Sequence, residues 1–251
     1  MSLEGKVAFV SGASRPRGIG RAIALTLVRD GADVAVSGLT HMEGATSLAA
    51  EISKMGRRSI AVKMDVSDYD DVKKGLARVK QELGAVSILI NNAAQMGRFV
   101  PIYKTTAREW DNEVKICLNS AFYCIKEVWE DMCANKWGRI VNISSVAGVM
   151  GGYGQTSYGA AKAGLIGLAK SCALEGARFN ITANTVLVGI ASTDAPLADE
   201  ARRKLEDRIL ARRLAEPQEI ANAVAYLVSD EARYMTGATM NMMGGLDLLV
   251  F

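Results

Sequence analysis

Three side chains in this sequence have the types and spacing to share a proton-transfer site. Tyr158 and Lys162 stand four residues apart in Ser157-Tyr158-Gly159-Ala160-Ala161-Lys162. On a helix that spacing puts both on one face, one turn apart. A free phenol ionises near pH ~10 and exchanges protons poorly at neutral pH. An ammonium group beside it favours the phenolate and lowers that value, so the pair is expected to work as a general acid/base near neutrality. Thirteen residues before the tyrosine, Ser145 ends the run Gly138-Arg139-Ile140-Val141-Asn142-Ile143-Ser144-Ser145. A serine at a strand end facing a helix tyrosine is suited to polarise a carbonyl held between them. The surroundings are small, with Gly151 and Gly152 before the pair and Ala163 and Gly164 after it. That composition is read as letting a flat ligand lie close to the helix.

The Tyr-to-Lys spacing alone has two readings, a catalytic pair or a solvated helix face. Tyr69 and Lys73 repeat it inside Asp68-Tyr69-Asp70-Asp71-Val72-Lys73-Lys74. That copy lies in a charged helix start with no serine-tipped strand before it, and is read as a solvated face. The copy at Tyr158 differs by Ser145 and by its Gly/Ala neighbours.

The elements that must position these groups alternate in type. Lys6-Val7-Ala8-Phe9-Val10-Ser11 is a short apolar, β-rich run stopping at Gly12, which reads as a buried parallel strand. Gly18-Ile19-Gly20 opens a helix over Arg21 to Val28, closed by Gly31. Strand, glycine-rich turn and helix together form a phosphate-binding unit, because glycine permits close backbone approach and a helix N-terminus favours an anion. Further strands are expected at 33–37, 59–63, 86–90, 138–145, 181–186 and 239–242. Helices are expected at 43–55, 68–83, 106–133, from Tyr158 to about Arg178, and at 217–228. Residues 191–213 are polar and charged with helical character. Repeated βα units predict a parallel sheet with helices on both faces. With no linker, low-complexity tract or second core, residues 1–251 are expected to form a single domain.

Composition narrows the function classes. The chain has 251 residues, 49% of them hydrophobic, which suffices for one large core. The formal charge is +3 with both signs interleaved, and no run resembles a nucleic-acid patch. The four cysteines, Cys117, Cys124, Cys133 and Cys172, lack metal spacing, and His41 is the one histidine. No metal site is therefore expected, nor a Ser-His-Asp triad. No signal peptide is visible, and no apolar stretch reaches the ~18 residues of a membrane span. A soluble, cytoplasmic protein follows as the expectation.

Taken together, the ordered motifs resemble the short-chain dehydrogenase/reductase family over the whole chain. Gly12, Gly18, Ile19 and Gly20, with Ser14 inside the loop, look like its dinucleotide turn. Asp65-Val66 resembles its adenine-contacting strand end, and Asn91-Asn92-Ala93-Ala94 its sheet-stabilising motif. Ser145, Tyr158 and Lys162 match its catalytic residues, gap included. Gly189, Ile190 and Thr193 follow the sixth strand where the family holds the nicotinamide half, and Met243-Gly244-Gly245 resembles its C-terminal turn. The resemblance implies a doubly wound, seven-stranded parallel Rossmann sheet and hydride transfer between a nicotinamide and a carbonyl or alcohol carbon. Tyr158 would protonate the carbonyl oxygen. Lys162 would lower the tyrosine pKa and hold the nicotinamide ribose, and Ser145 would stabilise developing charge. Residues 191–213 would form a lid over the substrate. The resemblance also implies a homotetramer packed through the helices at 106–133 and 157–178. The apolar end Leu246 to Phe251 would suit a second interface or local packing equally.

Departures from the family pattern are specific. Five residues separate Gly12 from Gly18 where three are usual, the extra pair falling around Arg15-Pro16-Arg17. Seven residues after Trp110, where the family carries a catalytic asparagine, stands Cys117; Asn119 is two positions away, about 200° round an α-helix. Val188-Gly189 replaces the usual Pro-Gly. The strand-two end, Ser37-Gly38-Leu39, has no carboxylate to bind a ribose 2′-hydroxyl and repel a 2′-phosphate. Arg15 or Arg17 is placed to pair with such a phosphate. NADP(H) is therefore expected over NAD(H), and Gly38→Asp is expected to reverse the preference. The function expected is an NADP(H)-dependent reductase of a small ketone or a 3-oxoacyl thioester. The alternatives are an NAD-dependent alcohol dehydrogenase, or a dinucleotide-binding scaffold without catalysis, which the cysteine at 117 would suit.

Overall fold

The computed structural model describes residues 2–194 and 198–248. Seven strands lie in the order β3-β2-β1-β4-β5-β6-β7, all pairs parallel: β1 Val7–Val10, β2 Asp33–Gly38, β3 Ser59–Lys63, β4 Ile88–Asn91, β5 Gly138–Ser145, β6 Ile181–Val188 and β7 Thr239–Met242. The chain winds outward from β1 to β3, then returns through β4 to the other edge. That reversal opens a crevice beside the carboxyl ends of β1 and β4, where ligands bind in open α/β sheets.

Side-chain alternation explains why both faces are covered. Ala8, Val10, Val34, Val36, Ile88 and Ile90 join one core with helices α1 (Ile19–Arg29), α2 (Met42–Lys54) and α9 (Pro217–Val228). Val7, Phe9, Ala35, Leu89 and Ile140 join the other with α3 (Tyr69–Glu82), α5 (Ser120–Ala134) and α7 (Thr156–Gly176). Strands buried on both faces carry continuous apolar runs, the pattern of a doubly wound sheet.

The expected helix over 106–133 is three segments: α4 (Ala107–Val114), one π-helical turn (Lys115–Asn119) and α5. Thr106 and Glu109 close a capping box at its start. α6 (Ala147–Met150) is a single turn after β5. Among its described residues, the polar stretch 191–213 holds one helix, α8 (Asp199–Arg208), which buries none of its residues. Its flanks are anchored: Ser192 N–H donates to Ala215 O (2.8 Å), and Ala215 N–H to Ile190 O (2.9 Å). Leu246 and Leu248 are described, whereas the last three residues of the apolar end lie outside the described residues.

The second Tyr/Lys copy departs from the expectation of a solvated face. Tyr69 is half-buried; its hydroxyl donates to Glu127 (2.5 Å), and its ring lies 5.2 Å from that of Tyr123 on α5. The hydrogen bond to Glu127 is the first cause that holds its phenol above the ordinary value. Tyr69 docks α3 onto α5, away from any serine-tipped strand.

Candidate active site

β5 delivers Ser145 at its carboxyl end, and α7 returns Tyr158 and Lys162 beside it. The strand's own side chains hold the helix in place. Asn142 Nδ2 donates to Leu165 O (3.2 Å), and Ser144 Oγ to Lys162 O (2.8 Å). Two small residues of α7 serve this packing. A methyl group on Gly159 would meet Ala147 O at 2.9 Å, and one on Gly164 would meet Leu118 at 2.7 Å. Gly159 therefore brings α6 close, and Gly164 brings in the π-helical turn.

Lys162 is buried, and its Nζ donates to Ile143 O (2.8 Å) while lying 5.7 Å from the centroid of the Tyr158 ring. Burial lowers the lysine's own pKa. Tyr158 does not show the lowered pKa expected from the pairing. Burial is the largest effect and, with the nearby Cys117 and Glu113, pushes its phenol up to about 12; the hydrogen bond with Ser145 pulls the other way. The reason is that the phenol is shielded from water, so removal of the phenolate's hydration outweighs what the Ser145 hydrogen bond gives it. Tyr158 consequently keeps its proton at neutral pH. Ser145 Oγ also accepts from Ala147 N–H (3.2 Å), which fixes the strand-to-α6 turn.

Cys117 faces this pair from the π-helical turn, as counting from Trp110 anticipates. It is buried, and its Sγ donates to Gln95 O (3.4 Å). Burial pushes its thiol up, so it is a neutral thiol at physiological pH. Asn119 is only half-buried.

The dinucleotide turn is built at the carboxyl end of β1. Gly12 has φ +67°, and a side chain there would lie 2.7 Å from Ala93 Cα, so only glycine fits. Asn92 and Ala93 N–H groups both donate to Ser11 Oγ (3.0 Å each), and Asn92 Nδ2 reaches Ser11 O (2.9 Å) and Gly12 O (3.0 Å). Asn91 Nδ2 bonds Asn142 Oδ1 (2.9 Å), joining β4 to β5. Ser11 was not singled out by the sequence reading, though a hydroxyl at a strand end beside a glycine turn is the signal that marks it. A methyl on Gly20 would meet Asn92 Nδ2 at 2.6 Å. Gly18 precedes α1 as its N-cap, and among the described residues no side-chain capping bond is made there. The first N–H groups of that helix are left to an anion.

The widened loop folds in two directions. Ser14 wedges between Gly38, whose added methyl would meet Ser14 Cβ at 2.9 Å, and Gly44, whose added methyl would meet Ser14 O at 1.9 Å. Arg17 turns toward the segment after β6: its N–H donates to Asp194 Oδ2 (2.7 Å), and its guanidinium reaches Ser192 Oγ (3.5 Å). Arg15 is exposed, with no side-chain partner among the described residues. At the strand-two end stand Gly38, Leu39, Thr40 and His41, and His41 Nδ1 lies 3.6 Å from Glu43.

The remaining predicted positions follow the carboxyl ends of β3, β6 and β7, on the same edge of the sheet. Asp65 Oδ1 accepts from Ser67 N–H (2.9 Å) and Oγ (2.7 Å), shaping the turn into α3, and Val66 packs on the adjoining core. Gly189 N–H donates to Met242 O (3.2 Å), and Thr193 N–H to Ala191 O (3.0 Å). Ile190 lines a cavity of about 190 Å³ with Ile209, Ala215 and Met243. Gly244 and Gly245 make the turn after β7. Among the described residues no cluster of three or more His, Cys, Asp or Glu side chains is placed to hold a metal ion, and no helix is long and apolar enough to cross a membrane.

Comparison with known proteins decides the family. The family described as Enoyl-(Acyl carrier protein) reductase matches residues 12–247. The 3-oxoacyl-(acyl-carrier-protein) reductase FabG of Escherichia coli K12 is 42% identical over 248 residues, 98% of this chain and 99% of that protein. The chain belongs to the short-chain dehydrogenase/reductase family. Other relatives of this reductase-family chain include the nodulation protein G of Azospirillum brasilense, 39% identical over 96% of this chain and 98% of that protein. Among solved structures, a blue fluorescent protein from a metagenomic library, in complex with NADPH, is similar at TM-score 0.92 and 34% identity over 98% of this chain and 99% of that one. A putative short-chain alcohol dehydrogenase from Sinorhizobium meliloti is similar at TM-score 0.92 and 33% identity, with 99% of each chain covered.

Proposed function

We propose that this protein is an NADP(H)-dependent carbonyl reductase in which Tyr158 is the proton donor, Ser145 the carbonyl-polarising group and Lys162 the buried cation behind them. The observation that carries the reading is the convergence of these three at the carboxyl end of β5, beside the glycine turn. Bound NADPH supplies the hydride. Tyr158 Oη then gives its proton to the carbonyl oxygen, and Ser145 Oγ hydrogen-bonds the same oxygen as it gains charge. The raised pKa of Tyr158 suits reduction, because the donor is loaded at neutral pH. Lys162, anchored on Ile143 O, keeps further N–H groups for a ribose hydroxyl and a positive charge for the phenolate left on Tyr158 once its proton is given.

The residues fit a dinucleotide. The uncapped start of α1 offers backbone donors to a pyrophosphate. Gly12, Gly18, Ile19, Gly20, Asn92 and Ala93 frame it, with Asp65 and Val66 on the adenine side and Gly189, Ile190 and Thr193 on the nicotinamide side. The strand-two end, free of a carboxylate between Gly38 and His41, accepts a 2′-phosphate, with Arg15 the cation left for it. Arg17 instead ties the loop to the lid, residues 191–213. The FabG relatives and the NADPH-bound neighbour support the cofactor and the ketone chemistry. A homotetramer is proposed through α5 and α7, whose outer faces expose Phe122 (49%) and Leu174 (84%); sedimentation gives its mass directly.

The test is steady-state turnover with a panel of simple ketones and 3-oxoacyl thioesters, each with NADPH and NADH. Reduction with NADPH preferred supports the reading. Absence of turnover on every ketone, with dinucleotide still bound, returns the scaffold alternative.

A further inference from the structure

Glu113 lies on α4, one helical turn before Cys117, and both face the loop that follows β4. Cys117 Sγ holds Gln95 O, and a Glu113 carboxylate oxygen accepts the N–H of Gly97 two residues on. The other Glu113 oxygen accepts the hydroxyl of Ser157, the residue immediately before Tyr158. One side chain therefore joins three pieces of chain: α4, the 95–97 loop and the first turn of α7. The loop is also fastened to the approach of α7, since Val100 N–H donates to Gly154 O (3.0 Å) and Gln155 Nε2 lies 3.0 Å from Met96 Sδ. Glu113 is half-buried, so its hydrogen bonds are shielded from water more than those of an exposed carboxylate. The N-cap of α7, Gln155, makes no side-chain capping bond, and the Ser157 to Glu113 bond, with that of Tyr158 to Ser145, ties this first turn to neighbouring elements.

We propose that Glu113 is a positioning residue for the reaction: through Ser157 it sets the place of the Tyr158 hydroxyl, and through Gly97 it holds the loop that follows β4 against the same turn of α7. The inference rests on the reading of Tyr158 as proton donor. A positioning role follows from geometry, because both carboxylate oxygens are engaged by the protein and neither is offered to a substrate. Misplacing a reacting group by about 1 Å costs on the order of a hundredfold in rate, and Ser157 is one residue from the group that reacts.

The test compares Glu113→Ala, Ser157→Ala, the double variant and Glu113→Gln, using the acetoacetyl thioester of N-acetylcysteamine and NADPH. Each alanine variant is expected to lose roughly ten- to a hundredfold in kcat, with the NADPH dissociation constant unchanged. The double variant is expected to lose no more than either single one, because the two act as a unit. Glu113→Gln, which can still accept from Gly97 and share a bond with Ser157, is expected to recover most of kcat. Additive losses, or a kcat for Glu113→Ala equal to the parent's, overturn the proposal. So does a parallel fall in NADPH affinity and melting temperature that Glu113→Gln does not relieve. A second readout is independent of turnover. The groups facing Tyr158 are Lys162 on its own helix, Ser145 on β5, and Cys117 and Glu113 across from it. Ultraviolet titration of the tyrosinate, parent minus Tyr158→Phe, is expected to move to lower pH in Glu113→Gln as the neighbouring negative charge is lost; an unmoved titration contradicts the proposal. Tyr158→Phe run alongside separates the two claims. If it retains turnover, the proton-donor reading fails; if it is inactive while Glu113→Ala is not, only the present inference fails.

Discussion

A methyl group at Gly38 tests how the widened turn is held. Its Cβ would lie 2.9 Å from Ser14 Cβ and 3.2 Å from Ser14 Oγ. Ser14 cannot retreat toward α2, because its carbonyl oxygen already sits 1.9 Å from where a Gly44 side chain would begin. The turn must therefore move. Overpacking of this kind costs about 1–3 kcal/mol. A dinucleotide that needs the original turn must reinstate that strain on binding, which weakens affinity by roughly 5- to 150-fold. Gly38→Ala is thus expected to raise the dissociation constants of NADPH and NADH by the same factor. Gly38→Asp adds a charge. Two like charges at about 4–6 Å repel by about 3–4 kcal/mol at an effective dielectric constant of about 20, before salt screening, and only NADPH carries the 2′-phosphate. Gly38→Asp should therefore weaken NADPH at least about tenfold beyond Gly38→Ala, and leave NADH near the Gly38→Ala value. The expected outcome is a changed ratio at the cost of both affinities, rather than a clean reversal of preference. Fluorescence titration of both cofactors against both variants measures this. Unchanged affinities in Gly38→Ala would show that Ser14 is not held against β2. Equal further losses for the two cofactors in Gly38→Asp would show that the 2′-phosphate lies elsewhere.

Other outcomes follow from the same geometry. The phenol of Tyr158, with burial opposing its charged form, should ionise toward pH about 12 in the free protein when followed by ultraviolet titration; ionisation between about pH 6 and 8, within the range of an activated catalytic group, would contradict the burial argument. Cys117→Asn should keep turnover within a few-fold of the parent, because an amide N–H can replace the thiol on Gln95 O; a large joint fall in kcat and melting temperature would show a buried amide left unpaired. Arg15→Ala should weaken NADPH far more than NADH in fluorescence titrations, and an equal effect on both would place this guanidinium on the pyrophosphate.

The alternation of apolar β-rich runs with helical spacing made the sheet legible, and β3, β5, β7 and α9 fall at their expected limits. Those elements have strong local signals: Pro217 begins α9, and Ser145 ends β5. The π-helical turn was not legible, because Lys115 to Asn119 contains no glycine or proline to mark it. Its cause is tertiary, with Leu118 pressed against Gly164 and Cys117 drawn to Gln95. Glu113 carries no local signal in the sequence, since its two partners are 16 and 44 residues away. Arg17 was legible as a cation beside the glycine turn, but not its direction, which Ser192 and Asp194 set from across the crevice. The lowered tyrosine pKa failed for a related reason: spacing places Lys162 beside Tyr158 but does not show that both are shielded from water.

The central claim is that Tyr158 supplies the proton while the rest of the site binds cofactor without it. Tyr158→Phe removes one oxygen and leaves the turn, Ser145 and Lys162 in place. The measurement is single-turnover oxidation of bound NADPH by a ketone that the parent reduces, with NADPH affinity determined on the same sample. The account predicts unchanged NADPH affinity and hydride transfer slowed by two orders of magnitude or more, the ~10²–10⁴-fold range of a lost general acid. Transfer within a few-fold of the parent rate at unchanged affinity would contradict it.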